Sequence, residues 1–211
     1  MTILFERHVF SRLTDHRYDA THPTLSNPLP GGYGNLGAAQ YDRLIAATAL
    51  DANAALESCS WGIGQVMGFQ ASALGYDNVQ DMIGQMRDSE GSQLDAMARF
   101  IKTNSLDGAL RVHDWARFAR GYNGPNYRIN NYDTRLAATY EHMARGALPD
   151  LTVRAAQTYL TFLGFDPHGI DGIMGRLTRA AMNDYQTRKG IPLTDFVDDV
   201  TVSALTNDCA S

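Results

Sequence analysis

Cysteine is scarce in this chain of 211 residues, because only Cys59 and Cys209 occur and they lie far apart. Small secreted domains held together by disulfides carry several cysteines at close spacing. The sequence therefore does not have the pattern of a disulfide framework. Synthesis in a reducing compartment is the expectation.

Basic residues are too few and too scattered for a nucleic-acid footprint. The chain has 18 Lys and Arg against 23 Asp and Glu, which gives a formal net charge of −5. Binding to phosphate backbones depends on clustered basic side chains that release counterions. No nucleic-acid partner is expected.

Long hydrophobic runs are also lacking. The apolar stretch at the start, MTILFERHVF, is interrupted by Glu6 and is too short for a signal peptide or a membrane span. We therefore expect no membrane insertion and no export route of the chain's own.

The pattern that is present is helical periodicity in two blocks, so the predicted fold class is mostly α. Residues 1–35, rich in turn formers, are interpreted as a long loop, and few strand signals follow. The Gly and Pro of RGALPD at residues 145–150 mark a boundary between predicted domains 1–147 and 148–211. Apolar residues spaced three and four apart predict helices over residues 36–57, 79–86, 94–101, 107–121 and 136–144, and three short helices beyond the boundary.

The second block resembles the small three-helix peptidoglycan-binding domain found at either end of many cell-wall hydrolases. The resemblance covers almost the whole block and departs from the family only at TDFVDDVT, where an Asp-Gly turn is usual. It implies binding to the glycan strands of peptidoglycan. The matching positions are Gln157, Gly164-Phe165, Asp171-Gly172, Gly175 to Thr178 and Tyr185-Gln186.

With that substrate class in mind, the first block should contain a carboxyl group, since a glycosidase protonates the leaving oxygen with one. Glu6, Glu57, Glu90 and Glu141 are candidates. Glu6 lies among apolar neighbours, in LFERHVF, an environment that suits a general acid. A Glu at a helix end or on the surface fits the same pattern equally well.

The segments ILFERHVFSRLT, LESCSWGIGQVMGF and FARGYNGPNY resemble the N-acetylmuramidase family of phage endolysins, which is distantly similar to goose-type lysozyme. The resemblance implies a lysozyme-like helical domain that cleaves the β-1,4 bond between N-acetylmuramic acid and N-acetylglucosamine. Glu6 matches the family's acidic residue implicated in catalysis. The positions that match the two walls of the glycan cleft, and are thus expected to bind substrate, are Trp61, Gln65 and Met67 on one side and Tyr122, Asn123 and Tyr127 on the other.

The chain departs from the family in one respect. Family members carry another Glu on a helix upstream of the Phe-Glu-x-His-x-Phe motif, and this sequence contains only five residues before Glu6. Three interpretations stay open: a start at a downstream Met, proton transfer by Glu6 alone, or a domain that binds glycan without cutting it. Loss of a general acid typically costs about 10²- to 10⁴-fold in rate.

Other functions were weighed on the same residues. Cys59 with His113 as base would suit a cysteine peptidase, and His8, His16 and His22 would suit zinc, although they match no close ligand pair. A lytic transglycosylase is the alternative enzyme. We expect no cofactor or metal, a monomer, and synthesis in the host bacterial cytoplasm with action at the periplasmic cell wall after release, causing cell lysis.

Overall fold

A computed structural model describes residues 1–146 and 148–210 of the chain. It is 58% helical, which confirms the prediction of a mostly α protein. The chain divides into two compact units, Met1–Asp133 and the part from Thr134 onward. The predicted boundary after residue 147 falls on a residue outside those described. Over the described ranges, no helix combines the length and the apolar character needed to cross a membrane.

The first unit contains a small antiparallel sheet that the sequence analysis missed. Strand β1 (Ile3–Phe5) pairs with β2 (Cys59–Trp61), and β2 pairs with β3 (Val66–Met67). Phe5 lies opposite Cys59 in this register. Strands of two or three residues are too short for an alternating pattern to show in the sequence.

Helix α1 (Arg7–Leu13) follows β1 after one residue, so the interpretation of residues 1–35 as a single loop was wrong for its first third. The predicted helix over residues 36–57 is in fact two helices, α2 (Ala39–Thr48) and α3 (Ala52–Glu57). Asp51 causes the break, because its carboxylate accepts a hydrogen bond from the Ala54 amide at 2.9 Å and caps a new helix.

The buried face of α2 also differs from the face that apolar spacing predicts, which contains Tyr41, Leu44 and Ile45. Tyr41 and Ile45 are exposed, whereas Leu44, Ala47 and the polar Gln40 are buried. Hydrophobic periodicity alone does not identify a buried glutamine, and the predicted face was therefore rotated.

A second predicted helix, over residues 107–121, is broken in the same way. His113 adopts a left-handed conformation with φ of 55°, and the Asp114 carboxylate caps the next helix by accepting from the Arg117 amide at 3.0 Å. The helices of this region are α4 (Val79–Asp88), α5 (Glu90–Thr103), α6 (Asp107–Arg111), α7 (Trp115–Asn123) and α8 (Tyr132–Met143).

The core of the first unit lies where α1, α4 and the sheet meet. Phe5, Phe10, Met82 and Met86 are completely buried there. The rings of Phe5 and Phe10 pack at 5.7 Å between centroids, which joins β1 to α1 directly.

The second unit contains the three predicted helices α9 (Leu151–Phe162), α10 (Arg176–Lys189) and α11 (Asp199–Ala210). Its core is formed by one to three residues from each helix and one from the turn after α9. The fully or almost fully buried apolar members are Ala156, Leu160, Phe165, Ala181, Met182, Tyr185 and Leu205.

Two glycines give a matched test of the packing. A Cβ on Gly68 would overlap the carbonyl oxygen of Leu56 and lie 2.8 Å from the Glu57 Cα, whereas a Cβ on Gly84, inside α4, meets nothing within 4 Å. We expect Gly68→Ala to lower the free energy of unfolding by at least about 2 kcal/mol, since backbone cannot yield cheaply. Gly84→Ala should raise it by about 0.5–1 kcal/mol.

Both tryptophans of the chain, Trp61 and Trp115, lie in the first unit, so denaturant unfolding followed by tryptophan fluorescence measures this unit. Equal stability of the two variants would contradict the close approach of Gly68 to the α3 backbone.

Candidate active site

Glu6 lies at the junction between β1 and α1. Its amide donates to the Ser58 carbonyl at 2.9 Å, which extends the pairing of β1 with β2 by one residue. It occupies the N-cap position of α1, yet its side chain caps no amide of the helix. The carboxyl group is thus available to other partners, and the side chain is only 14% exposed.

Tyr33 and His8 face the two oxygens of that carboxyl group. The Tyr33 hydroxyl donates to Glu6 Oε1 at 3.0 Å. His8 Nδ1 lies 3.1 Å from Glu6 Oε2, outside hydrogen-bond geometry, and both of these atoms are shielded from solvent. Oε1 is therefore held by a hydrogen bond, whereas Oε2 faces the His8 imidazole at a contact shielded from solvent.

The ionisation of Tyr33 is suppressed in this environment. Burial, followed by the negative charge of Glu6, raises the pKa of Tyr33 to about 12. The hydroxyl therefore stays protonated at any physiological pH and acts as a fixed donor to Glu6.

Gln40 of α2 places Tyr33 over Glu6. Its side chain is completely buried, and its Nε2 donates to the carbonyls of Tyr33 at 2.8 Å and Asn35 at 2.7 Å. Its Oε1 accepts from the Phe5 amide at 3.1 Å. One amide group thus connects the loop that carries Tyr33 to the strand that ends at Glu6.

Arg43, one turn further along α2, holds the same loop from outside. Its guanidinium donates to the Thr24 carbonyl at 2.7 Å and the Gly32 carbonyl at 3.2 Å, and it lies 5.5 Å from the centre of the Phe5 ring. Burial lowers the pKa of this guanidinium, and the positive charge of Arg7 lowers it further. The positive charges of Arg43 and Arg7 both act on the Glu6–Tyr33 pair.

Cys59 is unsuited to nucleophilic catalysis. The residue is completely buried in β2 opposite Phe5. Burial, with a further contribution from the negative charge of Glu6, raises the pKa of its thiol to about 12. A reactive cysteine needs the opposite shift and access to solvent, so the geometry gives the peptidase hypothesis no support.

Trp61 requires a correction. Its side chain was expected to bind sugar, but it is 3% exposed, and its indole nitrogen donates to the Leu56 carbonyl at 3.0 Å. A ring enclosed on both faces offers no stacking surface. Its role is to form the rigid wall between β2 and the end of α3.

Gln65 and Met67 lie on the hairpin that joins β2 to β3. Gln65 has a left-handed backbone with φ of 50°, is exposed, and bonds locally, accepting from the Ser60 hydroxyl at 2.7 Å and donating to the Gly62 carbonyl at 2.8 Å. The hairpin is at the Ile3 end of the sheet, whereas Glu6 is at the other end. The structure therefore does not bring Gln65 into contact with Glu6.

Tyr122 belongs with this hairpin. Its hydroxyl donates to the Gly64 carbonyl at 2.6 Å, and its ring packs against Phe118 with centroids 5.4 Å apart. Asn123, the last residue of α7, is exposed and free to face solvent or a ligand, but Tyr127 is only 3% exposed. Tyr127 is thus a core residue, which corrects the expectation that it binds substrate.

A metal site finds no support in the geometry. Among the residues that the structure describes, no three His, Cys, Asp or Glu side chains come close enough to hold a metal ion. The three histidines considered for zinc have separate environments, since His8 faces Glu6 and His16 Nδ1 lies 3.1 Å from Asp19 Oδ2.

The sequence analysis missed three residues of the Glu6 environment, namely His8, Tyr33 and Gln40. Tyr33 lies in PGGYGN, where a lone aromatic among glycines is a recognisable sign of a loop that approaches another segment. Nothing in the sequence indicates that Gln40 is buried, because a buried glutamine and a solvent-exposed one can occur at the same helical spacing.

The raised pKa of Tyr33 predicts a loss of stability at alkaline pH. Because the folded-state pKa of about 12 lies above the unfolded value of 10.0, the folded unit keeps a proton that the unfolded chain releases. The stabilisation is complete below pH 10 and declines as the pH rises towards 12. Tyr33→Phe should therefore show a shallower decline than the wild type between about pH 10 and pH 12 in fluorescence-monitored unfolding. Identical slopes for the two proteins would contradict the buried hydroxyl.

Two family models match the chain. The N-acetylmuramidase model matches residues 1–144, and a model described as a putative peptidoglycan binding domain matches residues 150–205. No curated protein matches.

Among solved structures, the chain is similar to the crystal structure of Burkholderia AP3 phage endolysin, with 40% sequence identity and a TM-score of 0.63. The similarity covers 68% of this chain and 56% of that one, so the chain corresponds to little more than half the length of this relative. The N-acetylmuramidase match covers well over half of the chain and includes Glu6, His8, Tyr33 and Gln40. This protein therefore belongs to the N-acetylmuramidase family.

Proposed function

We propose that this protein is an endolysin, a peptidoglycan hydrolase that cleaves the β-1,4 bond between N-acetylmuramic acid and N-acetylglucosamine and so lyses bacterial cells. The observation that carries the proposal is the Glu6 carboxyl group, held by Tyr33 at the β1–α1 junction of an N-acetylmuramidase domain. The match of the second unit to a peptidoglycan-binding domain and the likeness to a phage endolysin support it.

In the proposed reaction, Glu6 exchanges a proton with the glycosidic oxygen or with the attacking water. A glycosidase needs a carboxyl group that is fixed in orientation and partly shielded from water. Glu6 meets both conditions, since the Tyr33 hydroxyl fixes Oε1 and the side chain is 14% exposed. The proposed sugar contacts, at a distance from Glu6, come from Gln65 and Met67 of the β2–β3 hairpin and from Tyr122 and Asn123 of α7.

The second unit is proposed to hold the enzyme on the cell wall, which raises its local concentration at the substrate. The boundary between the two modules is placed after residue 147. We further propose a monomer that binds neither nucleic acid nor the membrane interior, made in the host cytoplasm and acting at the periplasmic wall after release.

Substitution of Glu6 tests the catalytic assignment. Glu6→Gln keeps the shape of the side chain and its capacity to accept from Tyr33, but it removes the transferable proton. We expect the rate of reducing-end release from purified sacculi to fall by about 100-fold or more. Lysis of permeabilised Gram-negative cells, followed by turbidity, should fall in parallel.

Cys59→Ala is the matched control in the same assays. It removes the thiol of the strand beside Glu6 and should retain the wild-type rate, at a cost in stability of about 1 kcal/mol. Equal lysis by Glu6→Gln and wild type would remove Glu6 from the mechanism, and loss of lysis in Cys59→Ala alone would favour a peptidase. Products with 1,6-anhydro ends would identify a lytic transglycosylase instead of a hydrolase.

A buried glutamine provides the test of the binding module. Gln157 donates to Asp171 Oδ1 at 2.9 Å and to the Thr178 hydroxyl at 3.0 Å, and it accepts from the Gly172 amide at 2.8 Å. Gln157→Leu leaves these groups without partners, at a cost of about 2–4 kcal/mol. A module of this size has little stability to spare, so the variant should lose sedimentation with sacculi.

The binding assay is made in a Glu6→Gln background, so that the sacculi are not degraded during sedimentation. Thr158→Ala, an exposed substitution on the same helix, is the control and should bind as the parent does. Undiminished binding by a Gln157→Leu protein whose circular dichroism shows loss of helix would contradict a binding role for the module.

A further inference from the structure

We infer that His8 is a positioning residue that acts through Glu6, restoring the Glu6 proton from solvent after each bond is cut. The inference rests on the proposed function. It starts from the contact between His8 Nδ1 and Glu6 Oε2, which are 3.1 Å apart.

Solvent reaches neither atom of this contact. Glu6 Oε2 and His8 Nδ1 are each shielded from solvent, and neither has another hydrogen-bond partner. Two such atoms left unpaired in a buried place would each carry a desolvation cost. A small rotation of the His8 ring that points a protonated Nδ1 at Oε2 would remove that cost, because an imidazole N–H and a carboxylate form a charge-assisted hydrogen bond.

The His8 ring connects this buried contact to water. The side chain is 36% exposed although Nδ1 is shielded, so the exposed surface belongs to the part of the side chain away from Glu6. Glu6, by contrast, is 14% exposed and has Tyr33 on its other oxygen. The imidazole therefore offers Glu6 a path to solvent.

The proton balance of the step is simple. When Glu6 has given its proton to the leaving oxygen, the protonated His8 ring transfers the Nδ1 proton to Oε2 and becomes neutral. The ring regains a proton from solvent, and the attacking water releases its own, so no net proton is consumed. The terminal torsion of Glu is broad and two-fold, so a half-turn of the carboxyl group, in which the Tyr33 hydroxyl exchanges Oε1 for Oε2 as its acceptor, carries the new proton away from His8.

The other charged and titratable groups around Glu6 have different tasks. Tyr33 of the loop donates to Oε1, and the positive charges of Arg43 of α2 and Arg7 of α1 act on the site. Cys59 of β2 is a neutral neighbour. Tyr33 and Cys59, whose pKa values are both raised to about 12, do not exchange protons near neutral pH. Histidine is the side chain whose ordinary pKa suits such exchange.

The test measures initial rates of reducing-end release from purified Gram-negative sacculi by the full-length protein between about pH 4 and pH 9. His8→Asn keeps a donor near Oε2 but cannot titrate, and His8→Ala removes both functions. We expect both variants to lose about 10-fold or more in rate and to lose the pH limb attributable to histidine. Added imidazole should restore part of the His8→Ala rate.

His16→Gln is the matched control, because His16 has the same imidazole–carboxylate distance, 3.1 Å to Asp19, at the far end of α1. Its pH profile should follow the wild type, and imidazole should have no effect on its rate. Tryptophan-fluorescence unfolding of all variants separates misfolding from the loss of proton exchange.

Two results overturn the inference. One is a His8→Asn protein with the rate and pH profile of the wild type. The other is a folded His8→Ala protein that is slow but keeps the wild-type pH profile and does not respond to imidazole, which would assign His8 a structural role. Failure of the proposed function would give a different result, namely equal rates for wild type and Glu6→Gln.

Discussion

The site depends on one buried amide, the side chain of Gln40. Its two donors hold the Tyr33 and Asn35 carbonyls and its acceptor holds the Phe5 amide, so a helix, a loop and a strand meet at a single group. A buried amide is tolerated only when its hydrogen bonds are made. The loop therefore has one favourable position, and that position brings the Tyr33 hydroxyl to Glu6. Without this constraint the glycine-rich loop would have no reason to lie over the carboxyl group.

The second unit also depends on buried, fully hydrogen-bonded glutamine side chains, and it has two of them. Gln157 fixes the turn through Gly172 and Asp171, while Gln186, also completely buried, donates to the Thr194 and Thr201 hydroxyls at 2.9 and 2.8 Å. A domain of about sixty residues buries a small apolar core. Fully paired amides compensate by fixing the loops between its helices, where apolar contacts are few. This explains why two glutamines of the family pattern are interior residues and not surface contacts for a ligand.

The sequence predicted the elements whose cause is local. Helices α4 and α9 follow from apolar spacing. The assignment of Glu6 rests on its apolar neighbours and on the resemblance that its motif carries, and it stays a prediction. The failures share a different cause. Asp51 and Asp114 interrupt the predicted helices because each carboxylate caps the first amides of a new helix. Gln40 is buried because backbone groups distant in the sequence complete its hydrogen bonds. These hydrogen-bond partners are brought together by the fold, and residue spacing in the sequence does not indicate them.

The segment SCSWGIGQVMGF shows how the fold assigns roles to residues that look chemically active. Cys59 and Trp61 look like a nucleophile and a sugar platform, yet both lie in β2 with their side chains enclosed. Burial, and after it the negative charge of Glu6, raises the pKa of the Cys59 thiol to about 12, so the thiol stays protonated. The protonated thiol places no second negative charge beside the carboxyl group. The strand thus supplies a low-polarity wall beside the carboxyl group.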